Sequence, residues 1–511
     1  MEQTEPDSCD NRFINYRPLF EIAVGLIIGI ILTGLLNTAG KIIFGSVFAV
    51  GGIILFIIRR RRAALFVCAA SAGALALLIA SPKYIPKGGY ELNGVVVDCS
   101  ETKSGTEIIL NNVDLNGVPF RGRLIFVYNN KNSSSGKNDF PETGDGIHAY
   151  VNAWTPDKAF GLYNEYRVLA SKGIGARAKA DSFEITSHNN ARFLQFLHKI
   201  RSAGVEKANE IFEEDGGMIA ALTVGERGEI EEERSDIYRV TGTAHLLAIS
   251  GFHMGVICAA MGLFLPKGRR WLRFAVMGTG MFIYCLIAVF APGFVRSAIM
   301  TTCILFCSAL ERRPDSLSAL SLAAIILLII NPFQIYSVGF QLSFSACFGI
   351  ITLNKSVSGF LKKIHFPLAS AVSVTLCASA VTGIFQMRYF GTFSPYLLLG
   401  NIVAVPAFSL IMITAIIIMA IGFILPAVAS FLAVIPRSVL FVTEKYLGLI
   451  SNFPGAVIKF NSPPVIACIS VLAAVFLISP YVLRPFNKRL KYALAAIAVF
   501  TVSSILSIIG L

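Results

Sequence analysis

Long apolar runs recur along this chain and are separated by short polar segments. A helix needs about 20 largely apolar residues to cross the hydrocarbon core of a bilayer, and many of these runs approach that length. The pattern therefore predicts a polytopic α-helical membrane protein with about a dozen transmembrane helices. The runs lie at residues 19–36, 42–58, 63–80, 244–265, 272–291, 294–310, 316–330, 337–353, 367–387, 406–425, 427–450, 464–481 and 491–510.

The pattern changes between residues 88 and 186, where apolar and polar positions alternate. This period of two is typical of half-buried strands, and turn residues such as Asn116 and Gly117 separate the alternating segments. Five strands with one helical insertion near residues 162–171 predict an inserted β-rich domain with an OB-like barrel. The predicted strands are residues 91–98, 107–114, 120–128, 146–154 and 176–185.

Composition agrees with a membrane protein. Apolar residues make up 55% of the 511 positions and charged residues only 15%, whereas soluble proteins carry about 25% charged residues. The formal net charge is +13, which by itself invites a nucleic-acid interpretation. Most of this excess lies in short loops, where Lys and Arg are retained in the cytoplasm, so we give the charge no weight as evidence for DNA binding.

The basic loops also predict an orientation. Four arginines at residues 59–62 place the N-terminus inside and the OB-like domain outside. Later basic clusters keep this phase only if residues 396–405 do not cross, so we expect a re-entrant half-helix there, in a helix broken near Pro406. The cytoplasmic clusters are Lys267, Arg269 and Arg270; Arg312 and Arg313; Lys362 and Lys363; and residues 484–491.

Four segments follow from these patterns. Residues 1–82 form an N-terminal membrane segment of three helices, and its first run is retained because no signal-peptidase site follows it. Residues 83–190 form the extracytoplasmic OB-like domain, and residues 191–240 form an amphipathic helix with an acidic connector. Residues 241–511 form a second, polytopic membrane domain. The apolar face predicted for the amphipathic helix, which we expect to lie on the outer leaflet, carries Phe193, Phe196, Leu197, Ile200 and Val205.

The ten cysteines predict neither disulfides nor a metal site. Cys99 is the only cysteine of the outer domain, so that domain has no internal disulfide. Cys303 and Cys307 lie one helical turn apart in an apolar run, but without further ligands in a zinc-type spacing. We therefore expect most cysteines to pack as small apolar side chains. We predict no metal and no cofactor.

Four polar motifs interrupt the apolar runs, where ionisable groups are costly and hence candidates for function. Packing is the alternative, since small and polar residues also join membrane helices. The motifs are residues 245–253 (HLLAISGFH), Arg296, residues 331–344 (NPFQIYSVGFQLSF) and residues 389–406 (YFGTFSPYLLLGNIVAVP). Four such motifs near the ends of separate helices favour a polar path through the bundle. The candidate path residues are His245, Ser250, Gly251, His253, Arg296, Gln341, Ser343 and Asn401.

Hydrolytic chemistry at these motifs is disfavoured. A nucleophilic Ser250 would need flanking glycines in a Gly-x-Ser-x-Gly elbow, but Ala248 and Phe252 occupy those positions. His245 and His253 lack the HExxH spacing that directs two histidines to one zinc. We therefore predict no catalytic residue and no enzyme activity.

The outer domain offers a second candidate surface. OB barrels bind single strands through aromatic and basic residues, and one predicted strand carries both types. The candidates are Arg121, Arg123, Phe126 and Tyr128. The alternative is that the aromatic side chains fill the barrel core and the arginines are merely solvated.

At these four motifs the sequence resembles the ComEC family of competence proteins, the inner channel components of bacterial DNA uptake. The resemblance extends to the outer domain through residues 143–145 (TGD) and 160–174 (FGLYNEYRVLASKGI). It implies an N-terminal membrane segment, an outer OB-like domain and a polytopic competence domain in the bacterial cytoplasmic membrane. The implied activity is passage of one DNA strand into the cytoplasm during natural transformation.

The resemblance also implies partners. Single-stranded DNA and the lipid bilayer come first, with a DNA-receptor protein outside. Because the chain has no Gly-x-x-x-x-Gly-Lys-[Ser/Thr] nucleotide loop, ATP-driven pulling requires a helicase inside. Many relatives continue into a metallo-β-lactamase-like domain, and its His-x-His-x-Asp-His cluster is absent from this sequence. Either a separate nuclease cuts the DNA, or this chain is not a complete uptake channel. A small-molecule secondary transporter or a membrane scaffold that shares the fold remains the alternative.

Overall fold

The computed structural model describes most of the chain between residues 17 and 509. The described ranges are 17–82, 84–102, 105–120, 122–128, 141–156, 165–180, 182–187, 192–226, 230–247, 251–266, 268–287, 292–365, 368–460, 463–482 and 486–509. Within these ranges there are eighteen α-helices and nine strands. Nearly all of the β structure lies in one domain between residues 88 and 187, as the alternating pattern predicts.

The helices coincide with the apolar runs. By length and composition, six helices among the described residues could cross a membrane. This number counts residues 426–451, which comprise α15 and α16, as one span. Five shorter helices are also apolar. The helices outside the β-rich domain and its connector are α1 (Pro18–Gly34), α2 (Thr38–Ile57), α3 (Arg61–Ala80), α8 (Gly251–Phe264), α9 (Arg270–Ile287), α10 (Pro292–Ala309), α11 (Ser316–Ile330), α12 (Val338–Lys363), α13 (Ala369–Phe390), α14 (Leu397–Gly422), α15 (Pro426–Leu432), α16 (Val434–Ser451), α17 (Val465–Ile478) and α18 (Phe486–Ile509).

Small residues bring α1 and α3 into backbone contact. A β-carbon added to Gly25 would lie 2.6 Å from the Phe66 carbonyl oxygen, and one added to Gly73 would lie 2.5 Å from the Leu26 carbonyl oxygen. Such close approach stabilises helix association in membranes by van der Waals packing, because there is no hydrophobic driving force between helices in lipid. The same face of α1 packs on α11 through Leu26, Ile30 and Leu328, which joins the first three helices to the rest of the bundle.

The β-rich domain is a closed barrel. Strands follow one another around it in the order β1, β2, β4, β6, β5, and β5 pairs again with β1, so that no edge is left open in this ring. The β4–β6 pair is parallel and the other pairs are antiparallel. The strands are β1 (Gly88–Thr102), β2 (Gly105–Leu115), β3 (Val118–Pro119), β4 (Arg123–Tyr128), β5 (Gly146–Trp154), β6 (Ile174–Ala180) and β7 (Glu184–Ser187), with α4 (Glu165–Ser171) between β5 and β6.

Alternation along the strands fills this barrel. The inward positions of β2 and β4 include Ile108, Leu110 and Leu124, all fully buried. The motif at residues 143–145 forms the turn before β5: the backbone N–H of Glu142 donates to Asp145 Oδ2 at 2.9 Å, and the Gly144 N–H donates to the Val96 carbonyl at 2.8 Å. The motif therefore fixes the β1–β5 pairing.

Three helices connect the barrel to the membrane half. They are α5 (Arg192–Phe212), α6 (Gly216–Thr223) and α7 (Glu232–Val240). On α5, Phe196 and Ile200 are exposed, as predicted for an apolar outer face, whereas Val205 packs inward. All residues of α6 are buried. Helices α5, α6 and α7 together with α14–α16 enclose the largest apolar core, around Phe212, Tyr238 and Phe408.

The prediction of a re-entrant half-helix at residues 396–405 is wrong. Helix α14 runs without a break from Leu397 to Gly422, with Pro406 inside it. A proline removes one N–H donor, but membrane-type helices tolerate it when packing restores the surroundings. Here Ala404 and Phe408, on either side of Pro406, are fully buried in the core. The segment before the helix is instead a short strand, β8 (Thr392–Phe393), paired with β9 (Ile458–Lys459).

Candidate functional site

Arg296 is a buried charge in the first turns of α10. Its side chain is 5% exposed. Its Nε–H donates to Ser343 Oγ at 2.9 Å, and Nη1 donates to Cys347 Sγ at 2.7 Å and Met300 Sδ at 3.6 Å. The acceptors within the described residues are therefore a hydroxyl and two weakly accepting sulfur atoms. Burying a guanidinium without a carboxylate partner costs free energy, so this position is a candidate for function rather than for stability.

The start of α8 lies against this guanidinium. A β-carbon added to Gly251 would lie 2.8 Å from Arg296 Nη2 and would overlap Ser297 Oγ. The sequence therefore needs glycine here for close approach rather than for flexibility. His253, half a turn further along α8, is fully buried. Ser250 lies outside the described residues.

Helix α12 carries two of the predicted site residues on the other side of Arg296. Ser343 accepts the Arg296 hydrogen bond, and Phe344 places its ring centroid 5.7 Å from the guanidinium carbon, which adds a cation–π contact. Gln341 bridges two further elements, because its Nε2–H donates to the Ile335 carbonyl at 2.7 Å and its Oε1 accepts from the Tyr389 hydroxyl at 2.6 Å. Tyr389 belongs to the fourth polar motif, at the end of α13.

The fourth motif returns to the segment before α8. Gly242 has a φ of +74°, and a β-carbon there would lie 2.7 Å from Leu397 Cβ. Gly400 meets Thr243 in the same way, at 3.0 Å from its methyl carbon. The turn at residues 241–243 and the first turn of α14 therefore pack backbone against backbone.

Two buried polar atoms at this contact have no hydrogen-bond partner among the described residues. They are Oδ1 of Asn401, a residue that is 7% exposed, and Oγ of Ser394. An unpaired buried polar atom costs free energy unless water or a ligand reaches it. His245 lies on the same turn; its side chain is exposed, and its Nδ1 lies 3.2 Å from the Gly242 carbonyl oxygen.

Contacts join the four motifs into a closed circuit. The first motif contacts the second through Gly251 and Arg296, and the second contacts the third through Ser343. The third contacts the fourth through Gln341 and Tyr389, and the fourth contacts the segment that leads into the first at residues 242–243. These contacts connect the elements that carry the described path residues, and among those residues Arg296 and Ser343 are joined by a direct hydrogen bond.

The first residues of the third motif hold the barrel domain against the membrane half. Asn331 Nδ2 donates to the carbonyls of Ala170 and Ser171 at 3.0 and 3.1 Å, and Gln334 Nε2 donates to Ser171 at 2.8 Å. These residues fasten α4 of the barrel domain to the end of α11. Arg167 strengthens the joint by donating to the Gly34 carbonyl at 2.6 Å. Sequence patterns gave no signal for this docking, because its partners are more than 130 residues apart.

The outer-domain candidates are divided by the barrel. Phe126 is fully buried among the core side chains, and the expectation that it contacts DNA is wrong, because the register of β4 turns its ring inward. Tyr128 is half-buried and packs edge-on against Phe183, with ring centroids 5.1 Å apart. Arg123 is exposed at the start of β4. Arg121 lies outside the described residues.

A charged cluster that the sequence analysis missed joins α7 to α16. Arg234 donates to both carboxylate oxygens of Glu444 at 2.9 Å and to Asp215 Oδ1 at 2.9 Å, and the Tyr238 hydroxyl donates to Glu444 Oε1 at 2.9 Å. Burial, together with the Glu444 carboxylate, raises the pKa of Tyr238, so this hydroxyl remains a donor. The available signal was Glu444 itself, an acidic residue inside an apolar run.

Residues 222–485 match the family described as "Competence protein". The matched segment exceeds half of the chain and includes all four polar motifs. The chain belongs to the competence protein family. The resemblance drawn from the motifs is confirmed, and this competence-family protein is a multi-pass membrane protein by its apolar helices.

The competence-family protein is similar in sequence to curated proteins from three bacteria. It is 30% identical over 237 residues to ComE operon protein 3 of Bacillus subtilis, across 45% of this chain and 30% of that protein. It is 31% identical over 139 residues to recombination protein 2 of Haemophilus influenzae, across 25% and 18% of the two chains. An uncharacterized protein of Mycoplasma pneumoniae is 32% identical over 146 residues, across 27% of this chain and 35% of that protein.

These alignments reach at most about a third of each relative's own length. They therefore establish similarity to part of each relative, and the activities of the whole relatives remain proposals for this chain. No solved structure matches this chain.

Proposed function

We propose that this protein acts in DNA uptake during natural transformation as a channel for single-stranded DNA across the bacterial cytoplasmic membrane. The observation that carries the proposal is the closed circuit of four polar motifs around Arg296. A path for a polyanion needs positive or neutral polar groups and no acidic constriction. Arg296 supplies a fixed positive charge, while Ser343, Gln341 and Asn401 supply hydroxyl and amide groups in place of water.

The location of the circuit supports entry from the barrel side. Ser343 lies five residues after Val338, about 7.5 Å along α12. The barrel is fastened to the residues just before α12 by Asn331 and Gln334. The circuit thus lies shortly below the end of the bundle that meets the barrel. In this proposal the barrel is an OB-like domain on the outer side, and the N-terminus is cytoplasmic.

Individual residues have separate roles in the proposal. Arg296 supplies the positive charge that attracts phosphate, and Gly251 allows α8 to pack directly against its guanidinium. His245 and His253 add charge only when protonated. Ser250 completes the path residues. On the barrel, Arg123, Arg121 and Tyr128 are proposed to contact DNA before it enters.

The proposal requires partners for the remaining steps. A receptor outside delivers DNA, a separate nuclease removes the second strand, and an ATP-driven helicase inside pulls the strand. A charged path lowers the barrier for the strand but supplies no direction, so the driving force must come from such a partner.

Uptake of labelled double-stranded DNA tests the channel. A transformable host that lacks its own family member is complemented with the wild-type chain, with Arg296→Ala or with Arg312→Ala, and DNA bound outside is scored separately from DNA protected inside. We expect Arg296→Ala to retain surface binding but to lose the protected strand by about tenfold or more, since a charged hydrogen bond contributes about 1.5–3 kcal/mol. Arg312, an exposed arginine, is the control for loss of one positive charge.

The result is interpreted only if each variant reaches the membrane at wild-type abundance. Normal internal DNA with Arg296→Ala would remove the role of Arg296. If cells without this protein contain normal amounts of internal DNA, the channel proposal is wrong, and the secondary transporter or the membrane scaffold becomes the better interpretation.

A further inference from the structure

A polar cavity lies at the opposite end of α8 from Gly251. Its volume is about 310 Å³, and it opens between the ends of α8, α9 and α10. The lining residues are Gly262, Arg270, Arg273, Leu305 and Ser308. Two guanidinium groups and one hydroxyl therefore face a common space.

The two arginines are held differently. Arg273 is half-buried, and its Nη1 donates to the Leu265 and Gly262 carbonyls at 3.1 and 3.5 Å. These bonds position the guanidinium, and its Nε and Nη2 have no hydrogen bond to a described residue. Arg270 is exposed and pairs with Glu311 at 2.5 Å, but the Glu311 side chain is 76% exposed. An ion pair so open to solvent contributes little, so Arg270 can exchange this carboxylate for another anion.

Aromatic side chains directly follow three lining residues along the chain and form what we call the apolar rim: Trp271 follows Arg270, Phe274 follows Arg273 and Phe306 follows Leu305. Trp271 packs edge-on against Phe274 and Phe306, with ring centroids 6.0 and 6.4 Å apart. Phe264, two residues after Gly262 on α8, is 84% exposed. Tryptophan is enriched where a protein crosses from hydrocarbon to headgroups, so this rim places the cavity at the depth of lipid headgroups.

We propose that this cavity binds the phosphate group of an anionic phospholipid. Arginine forks match the oxygen geometry of phosphate, and basic pockets between membrane helices on the cytoplasmic side are suited to anionic headgroups. The neighbouring Arg269, Arg312 and Arg313 mark this end of the helices as the cytoplasmic one by the positive-inside rule. The apolar rim accounts for an acyl chain, which free phosphate lacks.

The bound lipid would act on the same helix as the central circuit. Helix α8 has 14 residues and is about 21 Å long. At one end of α8, the carbonyls of Gly262 and Leu265 accept hydrogen bonds from Arg273. At the other end, Gly251 packs against Arg296. A headgroup that fixes the first end would therefore also fix the position of the second.

Binding is measured as the rise in the thermal unfolding midpoint of the purified full chain in neutral detergent micelles. The added probes are phosphatidylglycerol, phosphatidylcholine, inorganic phosphate and a short oligothymidylate. The variants are Arg270→Ala with Arg273→Ala, and Arg312→Ala with Arg313→Ala. The second pair removes the same charge from exposed positions at the same end of the protein.

We expect phosphatidylglycerol to raise the midpoint, with phosphatidylcholine ineffective. The double variant Arg270→Ala with Arg273→Ala should bind phosphatidylglycerol with an apparent affinity weaker by about tenfold or more. The double variant Arg312→Ala with Arg313→Ala should bind it as the wild type does. If the double variant does not fold, Arg270→Ala alone, at an exposed position, should still weaken the response. An equal loss in the control pair would overturn the site. An equal effect of inorganic phosphate, or of the oligonucleotide, would overturn lipid as its ligand.

Discussion

Gly251 and Arg296 are in such close contact that a β-carbon added to Gly251 would lie 2.8 Å from Nη2 and would displace the guanidinium. The backbone of α8 therefore sets one wall beside a guanidinium that α10 and α12 hold from the other side. A contact of this kind makes the position of the charge depend on three helices at once. It also means that small changes on α8 should act through Arg296.

Gly251→Ala should reduce uptake of the internal DNA strand. Alanine is favoured over glycine in a helix by about 1 kcal/mol, so helix propensity alone predicts no harm, whereas the contact predicts displacement of Arg296. The measurement is protected internal DNA in complemented cells. Gly255→Ala is the control, because a β-carbon one turn later meets nothing within 4 Å. Equal uptake by both variants would contradict the importance of the contact.

Tyr389→Phe should destabilise the α12–α13 pair. The change removes the hydroxyl that donates to Gln341 Oε1 at 2.6 Å and leaves a half-buried amide oxygen with one partner fewer, at a cost of about 1–3 kcal/mol. The measurement is the free energy of unfolding in mixed micelles. Tyr446→Phe removes a more exposed bond to the Leu399 carbonyl at 3.1 Å and should cost less. A larger loss for Tyr446→Phe would show that the Gln341 bond is not a main support of the site.

Arg234→Ala should lower the free energy of unfolding by roughly 1.5–3 kcal/mol, because it breaks charged hydrogen bonds to Glu444 and Asp215. The side chains of this pair are both about one-fifth exposed, so solvent screens them only in part. Arg239→Ala on the same helix breaks a pair exposed by more than half and should cost within about 1 kcal/mol. Similar losses for the two variants would mean that the cluster joining α7 to α16 adds no more than a surface pair.

Asn331→Asp should loosen the barrel from the membrane half. The side chain keeps its size but replaces two N–H donations to Ala170 and Ser171 with a carboxylate facing their carbonyl oxygens. Faster amide hydrogen exchange in α4 is the expected readout. Asn452→Asp is the control, since that side chain is exposed and, among the described residues, bonds to the Gly448 carbonyl of the adjoining helix α16. Unchanged exchange in α4 with Asn331→Asp would mean that Arg167 and Gln334 suffice to hold the joint.

The sequence by itself determined the helices and most of the strands. An apolar run of membrane length favours a helix because every backbone polar group must be satisfied within the segment, so residues 316–330 define α11 to the residue. Alternation indicates a strand because successive side chains point to opposite faces of a sheet, and residues 146–154 coincide with β5. The polar residues Arg296 and Gln341 were also visible, since their presence in apolar runs is costly.

Only the tertiary structure decided what those polar residues meet. Arg234 and Glu444 are 210 positions apart in the chain, and no local pattern relates them. The register of β4 buried Phe126, and burial on both sides of Pro406 allowed α14 to remain one helix where the local signal indicated a break. Periodicity reflects interactions over about four residues, whereas the closed circuit around Arg296 depends on how separate helices pack, which is a property of the folded chain as a whole.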